Sequence, residues 1–226
     1  MGLSSSWMGF QNVSKDQLLE QLGLTETGEE GYFEEVAKPY AYAELPGGWL
    51  ILFVDDFDWA DPQRVVELSE HGLVIGCQFN DKSMMGSVVS AAEKGGALWQ
   101  VSHRPDYEPH SAYHLDVKGD PPPALTALRD RHVRDQDEEG GEDAGVDHIF
   151  EVPLELAKQV CGFRYDESEH RFKGAQPKQG GWASSLPTAD SFRSSPGQAR
   201  SRLSDRMQMW GWLALFLILL ALAVTE

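Results

Sequence analysis

The sequence predicts an α+β domain with a mostly antiparallel sheet and several short helices, followed by a disordered linker and one C-terminal transmembrane helix. Three observations lead there. Short apolar or alternating runs bounded by Gly, Pro and Asp recur through residues 1–173, interleaved with helical patterns at unequal spacing, which suits hairpins more than regular βαβ units. Residues 174–206 lose all apolar periodicity and are rich in Gly, Ser, Pro, Gln and Arg, the composition of a flexible linker. Residues 209–224 carry no charge and no strongly hydrogen-bonding side chain.

Along the domain, residues 7–13 read as a first strand, and Ser14-Lys15-Asp16-Gln17 matches a capping box opening a helix with Leu18, Leu19 and Leu22 on its apolar face. Gly23 is placed to end it. The acidic stretch 26–30 is expected to be a loop. Residues 40–45 and 49–54 form a hairpin about the Pro46-Gly47-Gly48 turn, and Asp61 with Pro62 supplies the N-cap and first turn of a helix carrying Val65, Val66 and Leu68. A buried strand follows over 73–79. In 84–92 a helical spacing of Met84, Val88, Ala91 and Ala92 competes with a hairpin through Gly95-Gly96 into the strand 97–102. The hairpin is preferred because its neighbours are strands. Alternation over 113–117 predicts another strand, and Pro121-Pro122-Pro123 opens a helix whose Leu125, Leu128, His132 and Val133 share a face. Residues 135–145 read as a solvated acidic loop, 149–152 as a brief strand, and Pro153 as the start of a last helix ending at Gly162.

The terminal apolar run spans about 24 Å as a helix, and about 27 Å when Met207 and Gln208 extend the transmembrane helix to 207–224, short but sufficient for a thin bilayer; it is apolar all round where a globular helix would show a polar stripe. Arg200, Arg202 and Arg206 precede it, and only Thr225 and Glu226 follow, so the positive-inside rule puts the N-terminal domain in the cytoplasm. Trp210 and Trp212 then sit at the headgroup level. The lipid bilayer is thus an expected partner. The opening Met1-Gly2-Leu3-Ser4-Ser5-Ser6 also fits the degenerate acylation pattern at Gly2. No cleavable leader is expected at Met1, and the two cysteines, Cys77 and Cys161, read as buried free thiols of a reducing compartment.

The net charge of −17 is concentrated in the domain: residues 1–173 hold 14 Lys and Arg against 33 Asp and Glu. Such a body is repelled by phosphates, so nucleic acid is not expected as a partner.

Several segments, the Ser6-Trp7 strand with the helix after it, Leu45-Pro46-Gly47-Gly48-Trp49, Leu98-Trp99-Gln100-Val101-Ser102-His103, His114-Leu115 and the helix over 150–162, together resemble a family of small bacterial α+β proteins of uncharacterised function. The resemblance covers most of residues 5–167. It implies a single globular unit and assigns no catalytic residue.

Three constellations are candidates for chemistry. Asp55, Asp56, Asp58 and Asp61 cluster after an apolar strand, where carboxylates can converge on calcium or magnesium, but an EF-hand register from Asp56 puts Ala60 at the third donor and Asp61 at the required Gly, which favours a strand-to-helix loop with Asp61 as N-cap. His103, His110 and His114 lie close in sequence, yet Pro109 and the expected strand disfavour the helical stacking an H-x-x-x-H zinc pair uses, and no Glu stands between. Cys77 with His103 and Asp106 is a conceivable thiolate relay, although Cys77 lies in an apolar strand. No phosphate-binding or nucleophile-elbow motif occurs, and no cofactor is implied. The expected function is therefore a membrane-tethered cytoplasmic interaction module with an unknown protein partner. The alternative is a metal-dependent or Cys/His hydrolase at the membrane surface, built on His103, His110, His114 and the 55–61 loop.

Overall fold

The computed structural model describes residues 3–36, 39–81, 86–105, 110–167 and 169–178. The chain divides into two units, 1–185 and 186–226, and all described residues belong to the first. The linker beyond residue 178, the apolar run, Arg200, Arg202, Arg206, Trp210 and Trp212 lie outside them, as do Gly2 and Asp106. Among the described residues no helix is long and apolar enough to cross a membrane.

The expected α+β class is observed, as a nine-stranded antiparallel sheet in the order β2-β9-β3-β4-β1-β5-β6-β7-β8. Its strands are β1 (Ser4–Gln11), β2 (Leu24–Gly31), β3 (Tyr40–Leu45), β4 (Trp49–Val54), β5 (Val74–Asn80), β6 (Gly86–Glu93), β7 (Gly96–His103), β8 (Asp116–Gly119) and β9 (Phe172–Pro177). The helices are α1 (Lys15–Leu22), α2 (Phe33–Val36), α3 (Pro62–Leu68), α4 (Ala124–Glu138) and α5 (Glu151–Cys161).

Local signals account for many of these boundaries. The capping box forms as expected: Ser14 Oγ accepts from Gln17 N at 3.3 Å and Gln17 Oε1 from Ser14 N at 3.0 Å. Asp61 caps α3, its Oδ1 accepting from the N–H groups of Gln63 and Arg64. The β3–β4 turn needs left-handed backbone at two successive residues, Gly47 (φ 98°) and Gly48 (φ 80°), which only glycine adopts without penalty. The expected β6–β7 hairpin is present, with Val88 opposite Ser102 and Ser90 opposite Gln100.

Elsewhere the structure differs from the expectation. The acidic stretch 26–30 is no loop: it lies in β2, an edge strand whose Glu side chains stay in solvent while its backbone pairs with β9. Charge on an edge discourages pairing with a foreign chain, so the composition that disguised the strand also protects it. β9 inserts between β2 and β3 and buries Phe172 and Ala175, crossing residue 174, where the composition turns linker-like. The strand expected over 113–117 begins only at Asp116, because residues 111–114 are held as a turn. There Glu142 accepts from Ser111 Oγ (2.7 Å) and Ala112 N (2.8 Å), and the His114 carbonyl is taken by a side chain. Residues 149–152 are no strand either. They turn into α5, with Asp147 Oδ1 accepting from Phe150 N at 3.1 Å and Pro153 sitting in the first turn, where its missing N–H costs nothing. Finally, α4 runs to Glu138, into the expected acidic loop.

Strands β5 to β7 are covered on both faces. Cys77, Val89 and Val101 belong to the apolar core with Val152, Leu156 and Ala157 of α5. Side chains alternate across a strand, so Gly76, Gln78, Val88, Ser90, Gln100 and Ser102 point the other way, towards α3. That second face is polar, and it carries the cleft described next.

Candidate functional site

A cleft of about 270 Å³ opens on the α3 side of β5–β8, lined by Pro62, Gln78, Val88, Gln100, Ser102, Arg104, His114, Asp116 and Lys118. Antiparallel register builds its floor: Gln78, Val88, Ser102 and Asp116 form one row across four strands, and Gln100 with Lys118 part of the next. Gln78 is held by donating to the Phe57 carbonyl at 2.9 Å. Lys118 and Asp116 pair at 3.4 Å on the rim. His114 Nδ1 accepts from the Arg104 backbone N–H at 3.1 Å, which places the proton of a neutral ring on Nε2 and makes His114 a donor towards a ligand.

The three sequence-predicted histidines have separate roles. His103 and His114 come together, with ring centroids 6.4 Å apart. His103, however, is fully buried and committed on both sides: Nδ1 donates to the His114 carbonyl at 2.7 Å and Nε2 lies 2.8 Å from Asp147 Oδ2. It is a strut under the cleft and offers no free ring nitrogen. His110 stands apart on the surface, its Nδ1 3.3 Å from the Pro105 carbonyl.

The aspartates act locally. Asp56 Oδ1 accepts from Asp58 N at 2.9 Å, capping the turn Phe57–Ala60, and Asp55 receives Ser5 Oγ at 3.4 Å. Burial, with Asp58 and Asp55 nearby, raises the Asp56 carboxyl above its ordinary value despite the Asp58 N–H and Arg64. Asp58 itself is exposed. Cys77 is fully buried, and loss of solvent pushes its thiol well above the ordinary value; the same cause lifts Cys161 to about 12. Neither environment favours the thiolate that nucleophilic chemistry needs.

A second cluster, formed by residues the sequence did not single out as a site, lies where α4 meets the turn before α5. His132, Asp135 and His148 each bring one ligand-type atom to within 4.8 Å of the others. His132 and Asp135 share a face of α4 by their spacing of three. His148 is fixed beside them because Gln136 Oε1 accepts its backbone N–H at 2.8 Å while Gln136 Nε2 donates to the Gly141 carbonyl at 2.8 Å. His132 Nε2 lies 3.2 Å from Glu155 Oε1 and 3.0 Å from the Arg131 guanidinium. Its Nδ1 is buried with no hydrogen-bond partner, as is His148 Nε2, which has the Glu139 carboxylate 3.2 Å away without hydrogen-bond alignment. Burial lowers the His132 ring below its ordinary value, against the pull of Glu155. His132 looked like one more inward position of an amphipathic helix, and His148 sits in a segment that read as loop. The only signal available was the His-x-x-Asp spacing, which is common by chance.

Comparison with family models, curated proteins and solved structures finds no match.

Proposed function

We propose that the chain is a membrane-tethered interaction module: the apolar run 209–224 anchors it, the 174–206 segment is a flexible spacer, and the acidic domain binds a protein partner through the cleft beside β8. The observation that carries this reading is the cleft itself. Gln100, Ser102 and His114 present hydrogen-bonding groups on a rigid sheet, next to a strand that ends that sheet among the described residues. An extended segment can add to such an edge through its backbone while its side chains enter the cleft. Arg104 and Lys118 line the cleft in an otherwise acidic body, which favours a carboxylate-bearing segment.

The test has two arms. The full-length chain should stay with membranes through high-salt and alkaline washes, and protease should reach the spacer in inside-out vesicles but not in intact cells; recovery in the soluble fraction, or cleavage from outside, refutes the tether or its orientation. For recognition, crosslinking in intact membranes followed by detergent extraction should give a defined adduct that Gln100→Arg and Lys118→Glu abolish. No adduct, or one indifferent to both substitutions, refutes the module.

A further inference from the structure

We propose that His132 Nδ1, His148 Nε2 and an Asp135 carboxylate oxygen form a binding site for a divalent transition-metal ion of the zinc type. Three independent features converge on it. The first is the donor set, two imidazoles and a carboxylate, which suits zinc and its first-row neighbours and not the all-oxygen preference of calcium or magnesium.

The second is the state of the nitrogens. His132 is 5% exposed, and a buried ring nitrogen with no partner is rare in a folded protein because its lost hydration is not replaced. Here His132 Nδ1 has no partner, His148 Nε2 has only the Glu139 carboxylate 3.2 Å away without hydrogen-bond alignment, and the two residues, from different elements, cluster with Asp135. A cation placed among them satisfies both lone pairs and offsets the Asp135 charge.

The third feature is the support behind the ligands. Glu155 of α5 stands 3.2 Å and the Arg131 guanidinium 3.0 Å from the far nitrogen of His132; when metal takes the Nδ1 lone pair the proton sits on Nε2, and Glu155 is placed to accept it. Arg131 pairs with the same Glu155 and orients it. The Gln136 bridge fixes His148 from the other side. Tetrahedral zinc with bonds of about 2.1 Å holds its donors about 3.4 Å apart, so the cluster closes by little more than an ångström, within reach of a carboxylate rotation at half-buried Asp135. Glu139, the C-cap residue of α4, has its carboxylate 3.2 Å from His148 Nε2 and can complete the coordination.

The ion would tie the C-terminal end of α4 to the turn that carries Asp147, and Asp147 holds His103 beneath the cleft. Metal binding thus goes beyond the recognition role and does not depend on it.

Full-length protein in detergent, stripped with chelator and dialysed against micromolar zinc, should retain one ion per chain and melt at a higher temperature than in chelator. Cobalt in its place should show the visible absorption of a tetrahedral site. Asp135→Asn and His148→Ala should each weaken zinc by about 100-fold, and Glu155→Gln by about 10–100-fold with unchanged stoichiometry at saturation. His71→Ala, at an exposed histidine, should have no effect. Each variant's melt in chelator verifies that the fold survives, and Asp135→Asn is isosteric at a half-buried position, so one informative variant keeps its structure. Absence of stoichiometric zinc, or zinc held by His148→Ala and Asp135→Asn as tightly as by the parent chain, overturns the proposal.

Discussion

Replacing Gly76 by alanine should lift α3 from the sheet and deform the cleft wall at Pro62. A Cβ at Gly76 falls 2.2 Å from Val65 Cγ2 and 3.2 Å from the Ala60 carbonyl oxygen. Carbon atoms rest about 3.5–4.0 Å apart, so roughly 1.5 Å must be found, and Val65 is fully buried with no room to rotate away. Overpacking of this kind costs about 1–3 kcal/mol, and the carbonyl behind the methyl places Gly76→Ala near the upper end. Val65→Ala alone removes two buried methyl groups and costs about 2 kcal/mol. Together they should not add: the smaller side chain vacates the space the new methyl needs, so the double variant should lose only about 2–3 kcal/mol, a coupling of about 2 kcal/mol. In thermal melts of the full-length chain in detergent, followed by far-UV circular dichroism, each kcal/mol corresponds to about 2–4 °C. An additive double variant, or a Gly76→Ala melt within about 1 °C of the parent, would refute the packing argument.

Other outcomes follow from the same structure. Glu26 accepts from the Tyr42 hydroxyl and from Lys15, which lower its carboxyl below the ordinary value, Tyr42 first; a depressed acid contributes stability above its unfolded value that is lost as pH falls through the folded one. Tyr42→Phe should therefore be less stable than the parent near pH 7, and the difference should shrink as pH drops below the ordinary carboxylate range; a difference that grows in acid contradicts this. A chain ending at Lys178 should fold, whereas one ending at Arg171 should show no cooperative melt, because β9 and its buried Phe172 would be missing between β2 and β3; equal melts for the two would disprove it. His103→Leu leaves Asp147 Oδ2, on a side chain 11% exposed, and the His114 carbonyl without their partner, and should cost about 1–3 kcal/mol, read by urea titration in chelator. A loss under about 0.5 kcal/mol would mean that the pair carries little.

Much of the candidate site was hidden in the sequence for identifiable reasons. His103 attracted attention as one of three nearby histidines, yet its partner Asp147 lies 44 residues away and converts a candidate ligand into a buried strut. Asp61 was legible as a cap, since a cap joins residues two or three apart. His132 and His148 have no common local pattern. They meet only because α4 folds back along α5 and Gln136 reaches the backbone between them.

The sequence by itself determined whatever is settled between covalent neighbours. It specified the α+β class, the capping box of α1, the Asp61 cap of α3, the two-glycine turn of the β3–β4 hairpin and the glycine that ends α5, because each depends on backbone sterics or on hydrogen bonds spanning a few residues. Tertiary structure alone decided which polar segments became strands. The Glu-rich β2 and the β9 segment have no apolar alternation to announce them. Their pairing, with Arg171 reaching Glu30 across 141 residues of chain, is stable only once β3 offers an edge and a core that buries Phe172. It also decided the polar face under α3 and the histidine cluster beside α5, since the energy of a cleft or a ligand set resides in groups that the chain brings together last.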